Sequence, residues 1–120
     1  MACAPALTIE CPSDLEAGAK ALVGICERHP EVTAIFAASE VRAIGALLEC
    51  QRRGWQVPGR IAIAGFNDAG MGAWLVPALT TVRIPREEIG RRAAQMILDR
   101  LEGRAIAEAQ VDVGFELAVR

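Results

Sequence analysis

Two polar residues, Asn67 and Asp68, follow a short apolar run and are the first candidates for binding chemistry in this sequence. The run Arg60–Ala64 lies between a Pro-Gly pair and Gly65, so it has the length of a strand. Its residues do not alternate between apolar and polar, as they would in a strand with one solvent-exposed face. This pattern predicts a central parallel strand that is covered on both faces. Ligands bind beyond the carboxyl ends of the strands in an open parallel sheet. Asn67 and Asp68 are therefore expected at a ligand-binding edge.

The sequence lacks the residue arrangements that catalysis or phosphate binding would need. The stretch Ala69–Trp74 has no Gly-Lys-Ser or Gly-Lys-Thr ending and does not follow the G-x-G-x-x-G spacing. No nucleophile stands beside a base, and the single histidine, His29, is interpreted as a capping or solvated residue. The four cysteines form no C-x-x-C pair and are not clustered with His29. No metal, cofactor or enzyme activity is predicted.

Composition and charge argue against several further classes of function. A chain of 120 residues, 52% of them hydrophobic, is long enough for one domain with a core. The net charge of −2 and the dispersed basic residues do not give the electrostatic footprint of a nucleic-acid binder. No apolar run reaches membrane-spanning length and no secretory signal pattern begins the chain, so a cytoplasmic protein is expected. Its cysteines are then predicted to be reduced thiols: Cys3, Cys11, Cys26 and Cys50.

The chain alternates predicted strands and helices, which indicates an α/β class with a parallel sheet. A strand candidate at Leu7–Cys11 precedes a helix that runs to about Arg28. The Ser13-to-Glu16 spacing fits a capping box, so Ser13 is predicted to cap that helix. The later predicted elements are a strand at Val32–Ala38, a helix capped by Ser39 and ended by Gly54, a strand at Leu79–Arg83, a helix at Pro85–Gly103, and edge strands within Val111–Val119.

A set of linked motifs extends from about Leu7 to the end of the chain: Val32–Phe36, Ala43–Leu47, Gly54–Pro58, Ile61–Asp68 and Pro77–Val82. Together they resemble the C-terminal part of the effector-binding domain of LacI-family transcriptional regulators. Within that family, Glu49–Trp55 and Ile84–Arg92 are similar to the repressors of gluconate utilisation. The resemblance implies a periplasmic-binding-protein-like sensor of two α/β subdomains, with a small sugar or sugar acid bound in the cleft between them.

The resemblance also implies a regulator of carbohydrate-utilisation genes that binds operator DNA through an N-terminal helix-turn-helix headpiece. No helix-turn-helix pattern precedes Ser13, so residues 1–120 are expected to be the C-terminal portion of the sensor domain. In the family, segment 79–103 crosses to the N-terminal subdomain. This chain is expected to lack that subdomain.

The family's effector contacts carry over to three positions, and Asp68 lies beside them. By resemblance, Ser13 matches a pocket position at a helix start, Ser39 an asparagine that hydrogen-bonds the effector, and Asn67 an aspartate that does the same. The usual Asn-Asp and Asp-Asp pairs are Ser39-Glu40 and Asn67-Asp68 here. A neutral Asn67 removes repulsion toward an anionic effector, and two helix N-termini add partial positive charge, which favours a sugar acid such as gluconate. The three residues also fit structural roles, as two helix caps and a turn residue.

Two other classes of protein share the β-α-β order. A small α/β enzyme of the flavodoxin or Rossmann type would show turnover in a phosphatase or dehydrogenase assay. An interaction module would use the helix Pro85–Gly103, which by the resemblance is shaped to cover a sheet that the chain lacks. Its exposed apolar face predicts a homodimer or an exchange of this helix between two chains, because a symmetric pair buries both faces at once. That face comprises Ile89, Ala93, Met96, Ile97 and Leu101.

Overall fold

The computed structural model describes residues 7–106 and 108–120, so Cys3 lies outside the described residues. The elements are α1 (Leu15–Arg28), β1 (Ala34–Phe36), α2 (Glu40–Arg53), β2 (Ala62–Asn67), a 3-10 turn (Met71–Trp74), β3 (Thr80–Arg83), α3 (Arg86–Leu101) and β4 (Glu116–Ala118). Strands and helices alternate through most of this order. The predicted α/β class is confirmed.

The four strands form one sheet in the order β1-β2-β3-β4. β1 pairs with β2 in parallel, with Phe36 opposite Ala64, and β2 pairs with β3 in parallel, with Phe66 opposite Val82. The last strand, β4, runs antiparallel to β3 at the edge of the sheet. Because β1, β2 and β3 run parallel, their carboxyl ends lie at the same side of the sheet. The polar residues that follow β1 and β2 therefore meet at one edge of the sheet.

One face of the sheet carries the core. The helices α1 and α2 bring apolar residues at helical spacing against it, and Leu22, Leu47, Ile61 and Leu79 are at most 1% exposed. Cys26 and Cys50 are buried in the same core, where desolvation raises the pKa of both thiols.

The other face of the sheet has no helix packed on it within the described residues. Phe36 and Leu117 are each 61% exposed on this face, and Ala62 and Ala64 are only half-buried. The prediction that the central strand is covered on both faces is therefore wrong. The apolar run of β2 predicts a layer of helices on each face of the sheet, whereas α1 and α2 both pack on the same face.

The first helix begins one residue later than its capping signal predicts. Asp14 is the N-cap of α1, and its carboxylate accepts a hydrogen bond from the Ala17 backbone N–H at 2.7 Å. Ser13 therefore does not cap α1, and no strand forms over residues 7–11. The carboxylate is the stronger acceptor for the free amides of a helix start, because its hydrogen bond is charge-assisted.

Both predicted ends of α2 are confirmed. The Ser39 hydroxyl accepts a hydrogen bond from the Arg42 backbone N–H at 3.4 Å. At the other end Gly54 adopts a left-handed conformation with φ of 67°, and its N–H reaches the carbonyls of Cys50 and Gln51. This is the glycine C-cap that the sequence predicts.

Helix α3 extends from the rest of the molecule. None of its residues is buried, and Ile97 is 61% exposed. The molecule measures 57 × 32 × 25 Å, so it is elongated. None of the described helices combines the length and apolarity needed to cross a membrane.

Candidate functional site

Ser39 follows β1 and Asn67 is the last residue of β2, so both residues lie at the same edge of the sheet. Phe36 and Ala64 are paired in the register, and Ser39 and Asn67 each follow three residues later. Ser13 joins this edge because its Oγ atom lies 2.9 Å from Oγ of Ser39. The structure thus brings the two predicted serines into direct contact, beside the end of β2. Ser13, Ser39 and the 66–67 strand end form what we call the carboxyl edge.

Asn67 occupies an unusual backbone conformation. Its φ is 103°, and that of Asp68 is 46°, so two successive non-glycine residues lie in a region that disfavours a side chain. Asparagine and aspartate tolerate positive φ better than most residues, and such strain concentrates at functional sites. The half-buried Asn67 side chain forms no hydrogen bond with another described residue. Its amide can therefore both donate to and accept from a ligand.

Asp68 is held by two arginines. Its side chain is 4% exposed, and Oδ2 accepts from Nε of Arg83 at 2.7 Å. Arg120 donates from Nη1 to Oδ1 at 2.9 Å and from Nη2 to Oδ2 at 3.1 Å. The hydrogen bonds from Arg120, followed by those from Arg83, lower the pKa of the Asp68 carboxyl below its usual value. The predicted site residue Asp68 is thus ionised, and protein donors occupy both of its oxygens.

Glu40 is a buried residue that supports the site and that sequence reasoning missed. This residue is 3% exposed, and its Oε2 and Oε1 atoms accept hydrogen bonds from the backbone N–H groups of Ala69 (2.6 Å) and Gly72 (2.9 Å). The carboxylate therefore fixes the loop that follows Asp68 onto the start of α2. In the sequence, Glu40 stands out only as the second residue of the Ser39-Glu40 pair. Its real partners lie 29 and 32 residues away, and no local pattern indicates them.

An open groove of about 960 Å³ lies next to Asp68, at the base of α3. Its lining is strongly charged and comprises Asp68, Arg83, Ile84, Pro85, Arg86, Glu87, Glu88 and Arg91. Nη2 of Arg86 lies 3.5 Å from the Asp68 carbonyl oxygen, which places a guanidinium close to the carboxyl edge. A second groove, of about 420 Å³, lies between residues 9–12 and α1. Ser39 and Asn67 line neither groove, so the carboxyl edge is an open wall and not an enclosed pocket.

A metal centre is not found in this part of the molecule. The described residues contain no group of three or more His, Cys, Asp and Glu side chains that could hold an ion. What the carboxyl edge offers is two hydroxyl groups, a carboxamide and nearby guanidinium groups. These are hydrogen-bonding groups for a small polar molecule.

A mostly parallel sheet with polar groups at its carboxyl edge has the general arrangement of ligand-binding α/β folds. Residues 3–120 match a family described as the periplasmic binding protein-like domain.

Known relatives are transcription regulators. The HTH-type transcriptional regulator GntR of Pseudomonas aeruginosa is 41% identical over 109 residues, which are 91% of this chain and 32% of that protein. The crystal structure of transcription regulator GntR from Chromobacterium violaceum matches with a TM-score of 0.83 and 42% identity, over 91% of this chain and 40% of that chain. The structure of transcriptional regulator CelR in complex with cellobiose matches with a TM-score of 0.82 and 30% identity, over 89% and 33%. This chain belongs to the periplasmic-binding-protein-like domain of LacI-family transcriptional regulators, and it spans about a third of the length of the curated relatives it matches.

Proposed function

We propose that this chain is the effector-sensing part of a cytoplasmic LacI-family transcriptional regulator, and that its effector is a sugar acid such as gluconate. The observation that carries the proposal is the carboxyl edge, where Ser13 and Ser39 are in contact beside the end of β2. The Asn67 carboxamide at this strand end has no hydrogen-bond partner among the residues that the structure describes. The regulator would control carbohydrate-utilisation genes and would contact operator DNA through a headpiece outside this chain. The relatives are regulators and not enzymes, and this favours binding over catalysis.

The edge suits a polyhydroxylated ligand. Hydroxyl and carboxamide groups both donate and accept hydrogen bonds, so they complement a chain of sugar hydroxyls. The related regulator CelR has been solved with cellobiose, which supports a sugar as the ligand class.

An acid is favoured over a neutral sugar because the acidic side chains at the edge are already occupied. Backbone amides bind the Glu40 carboxylate, and two arginines bind Asp68. The neutral Asn67 stands where the family resemblance implies a carboxylate, and the N-terminus of α2 contributes partial positive charge. Gluconate is the first compound to test, because of the resemblance to gluconate-utilisation repressors.

Chemical-shift titration of the 120-residue chain tests this proposal. Gluconate is compared with sorbitol, which carries a hydroxymethyl group in place of the carboxylate. We expect gluconate to shift the amide resonances of Ser13, Ser39 and Asn67 with a Kd in the millimolar range, because one open wall buries too little of a ligand for tight binding. Equal affinity for sorbitol, shifts confined to other regions, or micromolar affinity of the isolated chain would contradict the proposal.

The DNA-binding part of the proposal has a separate test. The coding sequence upstream of Met1 is expected to encode, in frame, a helix-turn-helix headpiece followed by the first part of a sensor domain. An unrelated domain in that position would contradict the assignment to gene regulation.

A further inference from the structure

The last residue of the chain, Arg120, is tied to the sheet at several points. Its backbone N–H donates to Oγ1 of Thr80 at 3.0 Å, and the Thr80 hydroxyl donates to its carbonyl oxygen at 3.0 Å. Nη1 of Arg120 also donates to the Leu79 carbonyl oxygen at 2.9 Å. The side chain is only 18% exposed. Because both its backbone and its side chain are fixed, the guanidinium is a preorganised cation at the end of β2.

Arg120 has a role at Asp68 that Arg83 does not duplicate. Arg83 is half exposed, donates to Oδ2 of Asp68, and also faces Glu116 at 3.5 Å. Among the described residues, only Arg120 donates to Oδ1 of Asp68. Without Arg120 this oxygen would have to be hydrated, and the negative charge of Asp68 would be less neutralised one residue away from Asn67.

The effect reaches Asn67 through the backbone. Asp68 holds a positive φ of 46° directly after Asn67, whose own φ is 103°. A residue in such a conformation persists only when its surroundings fix it. Two arginines on the Asp68 side chain restrain this residue, which follows Asn67 directly in the chain.

We propose that Arg120 is a positioning residue that sets the charge preference of the carboxyl edge. It holds the Asp68 carboxylate away from the ligand and keeps Asn67 in place, so the edge accepts an anionic ligand more readily than a neutral one. This inference rests on the proposed sugar-acid function. It adds a residue that determines specificity through Asp68, which lies 52 residues earlier in the sequence.

The test uses the gluconate-to-sorbitol affinity ratio of the full 120-residue chain, measured by chemical-shift titration. Arg120→Gln is expected to lower the ratio roughly five-fold, the scale of one charge pair about 4 Å apart in the dielectric of water. Adding Asp68→Asn to that variant removes the released charge and is expected to restore the ratio. Arg52→Gln is the matched control, because Arg52 is 81% exposed and pairs with Glu49 at the far end of α2.

Asp68→Asn alone tests the same inference if the Arg120→Gln variant does not fold. It leaves both arginines without a counter-charge, and we expect an unchanged or higher ratio. A lower ratio in this variant would overturn the inference.

A purely structural role for Arg120 would give a different pattern. Arg120→Gln would then weaken both ligands equally, and Asp68→Asn would not restore the ratio, which would overturn the inference while leaving the proposed function intact. A wild-type chain that binds neither compound would instead contradict the proposed function, and the inference with it.

Discussion

At the scale of single residues, the acidic side chains near the carboxyl edge are structural. Glu40 holds the loop after β2, and Asp68 holds Arg83 and Arg120. Buried carboxylates are costly without polar partners. Backbone amides supply them to Glu40, and two arginines supply them to Asp68. The groups that remain for a ligand are neutral or cationic.

The ionisation of Asp68 predicts a dependence of stability on pH. Its folded-state pKa lies below the unfolded value, so its contribution is fully present above the unfolded pKa of about 3.9 and is lost as pH falls through the folded pKa. Urea unfolding of the wild type and of Asp68→Asn should therefore show a stability difference at pH 6 that shrinks below pH 4. A difference that stays constant over this range would mean that the ion pairs do not stabilise the fold.

Substitution by valine is predicted to have opposite effects on stability at two adjacent threonines. Thr81 is fully buried on β3, and its Oγ1 has no hydrogen-bond partner among the described residues, whereas Thr80 is bonded to Arg120. Thr81→Val should raise the free energy of unfolding by about 1 kcal/mol, because it removes an unsatisfied buried hydroxyl. Thr80→Val should lower it, and chemical denaturation measures both. Destabilisation by Thr81→Val would show that its hydroxyl is satisfied in solution.

At the scale of elements, the close crossing of α1 and α2 builds the core. Gly18 and Gly45 allow this approach, since a Cβ atom at Gly45 would lie 2.0 Å from the Leu15 carbonyl oxygen. The crossing places the N-terminus of α2, and with it Ser39, next to Ser13. Helix packing thus positions two of the three candidate ligand contacts.

Gly45→Ala tests the crossing. We expect it to lower the free energy of unfolding by roughly 1–3 kcal/mol, because the clash involves backbone that cannot rotate away. Gly90→Ala in α3 is the control, since nothing lies within 4 Å of a Cβ atom there. That substitution should be neutral or stabilising, because alanine favours helix. Equal losses in the two variants would show that the α1–α2 approach is looser than the structure indicates.

The elements also show what the sequence could predict. The two ends of α2 follow from Ser39 and Gly54, because caps act within a few residues. The cap of α1 was misassigned because Ser13 and Asp14 are adjacent and both can cap. The partners of Glu40 and Asp68 lie up to 52 residues away in sequence, and such pairs leave no periodic signal. Nor could the sequence show which sheet face α1 and α2 would leave open.

At the scale of the whole molecule, two apolar surfaces lack a cover within the described residues. One is the sheet face with Phe36 and Leu117, and the other is the face of α3 that includes Ile97. The radius of gyration of 17.8 Å exceeds the value of about 14 Å for a compact domain of this length. In the family-based proposal, segment 79–103 crosses to a second subdomain that would cover α3.

A homodimer through α3 is the prediction for the chain alone. Each large apolar side chain left in water forgoes on the order of 1.5–3 kcal/mol, so pairing of two α3 faces is favourable. Sedimentation should show a dimer for the wild type and a folded monomer for Met96→Lys with Ile97→Lys. A wild-type monomer would contradict this prediction. A dimer that persists with both substitutions would contradict the α3 interface and would point to the open sheet face instead.

The central claim is that the carboxyl edge is one wall of a sugar-acid cleft, in which a neutral Asn67 favours an anionic ligand. The most direct measurement is calorimetric titration of a chimera in which this chain replaces the matching third of the Pseudomonas aeruginosa GntR relative. We predict that the chimera binds gluconate more tightly than sorbitol, and that Asn67→Asp lowers the gluconate-to-sorbitol ratio roughly ten-fold by placing a like charge near the ligand. An Asn67→Asp chimera that keeps the wild-type ratio, or a chimera that binds no sugar acid, would contradict the claim.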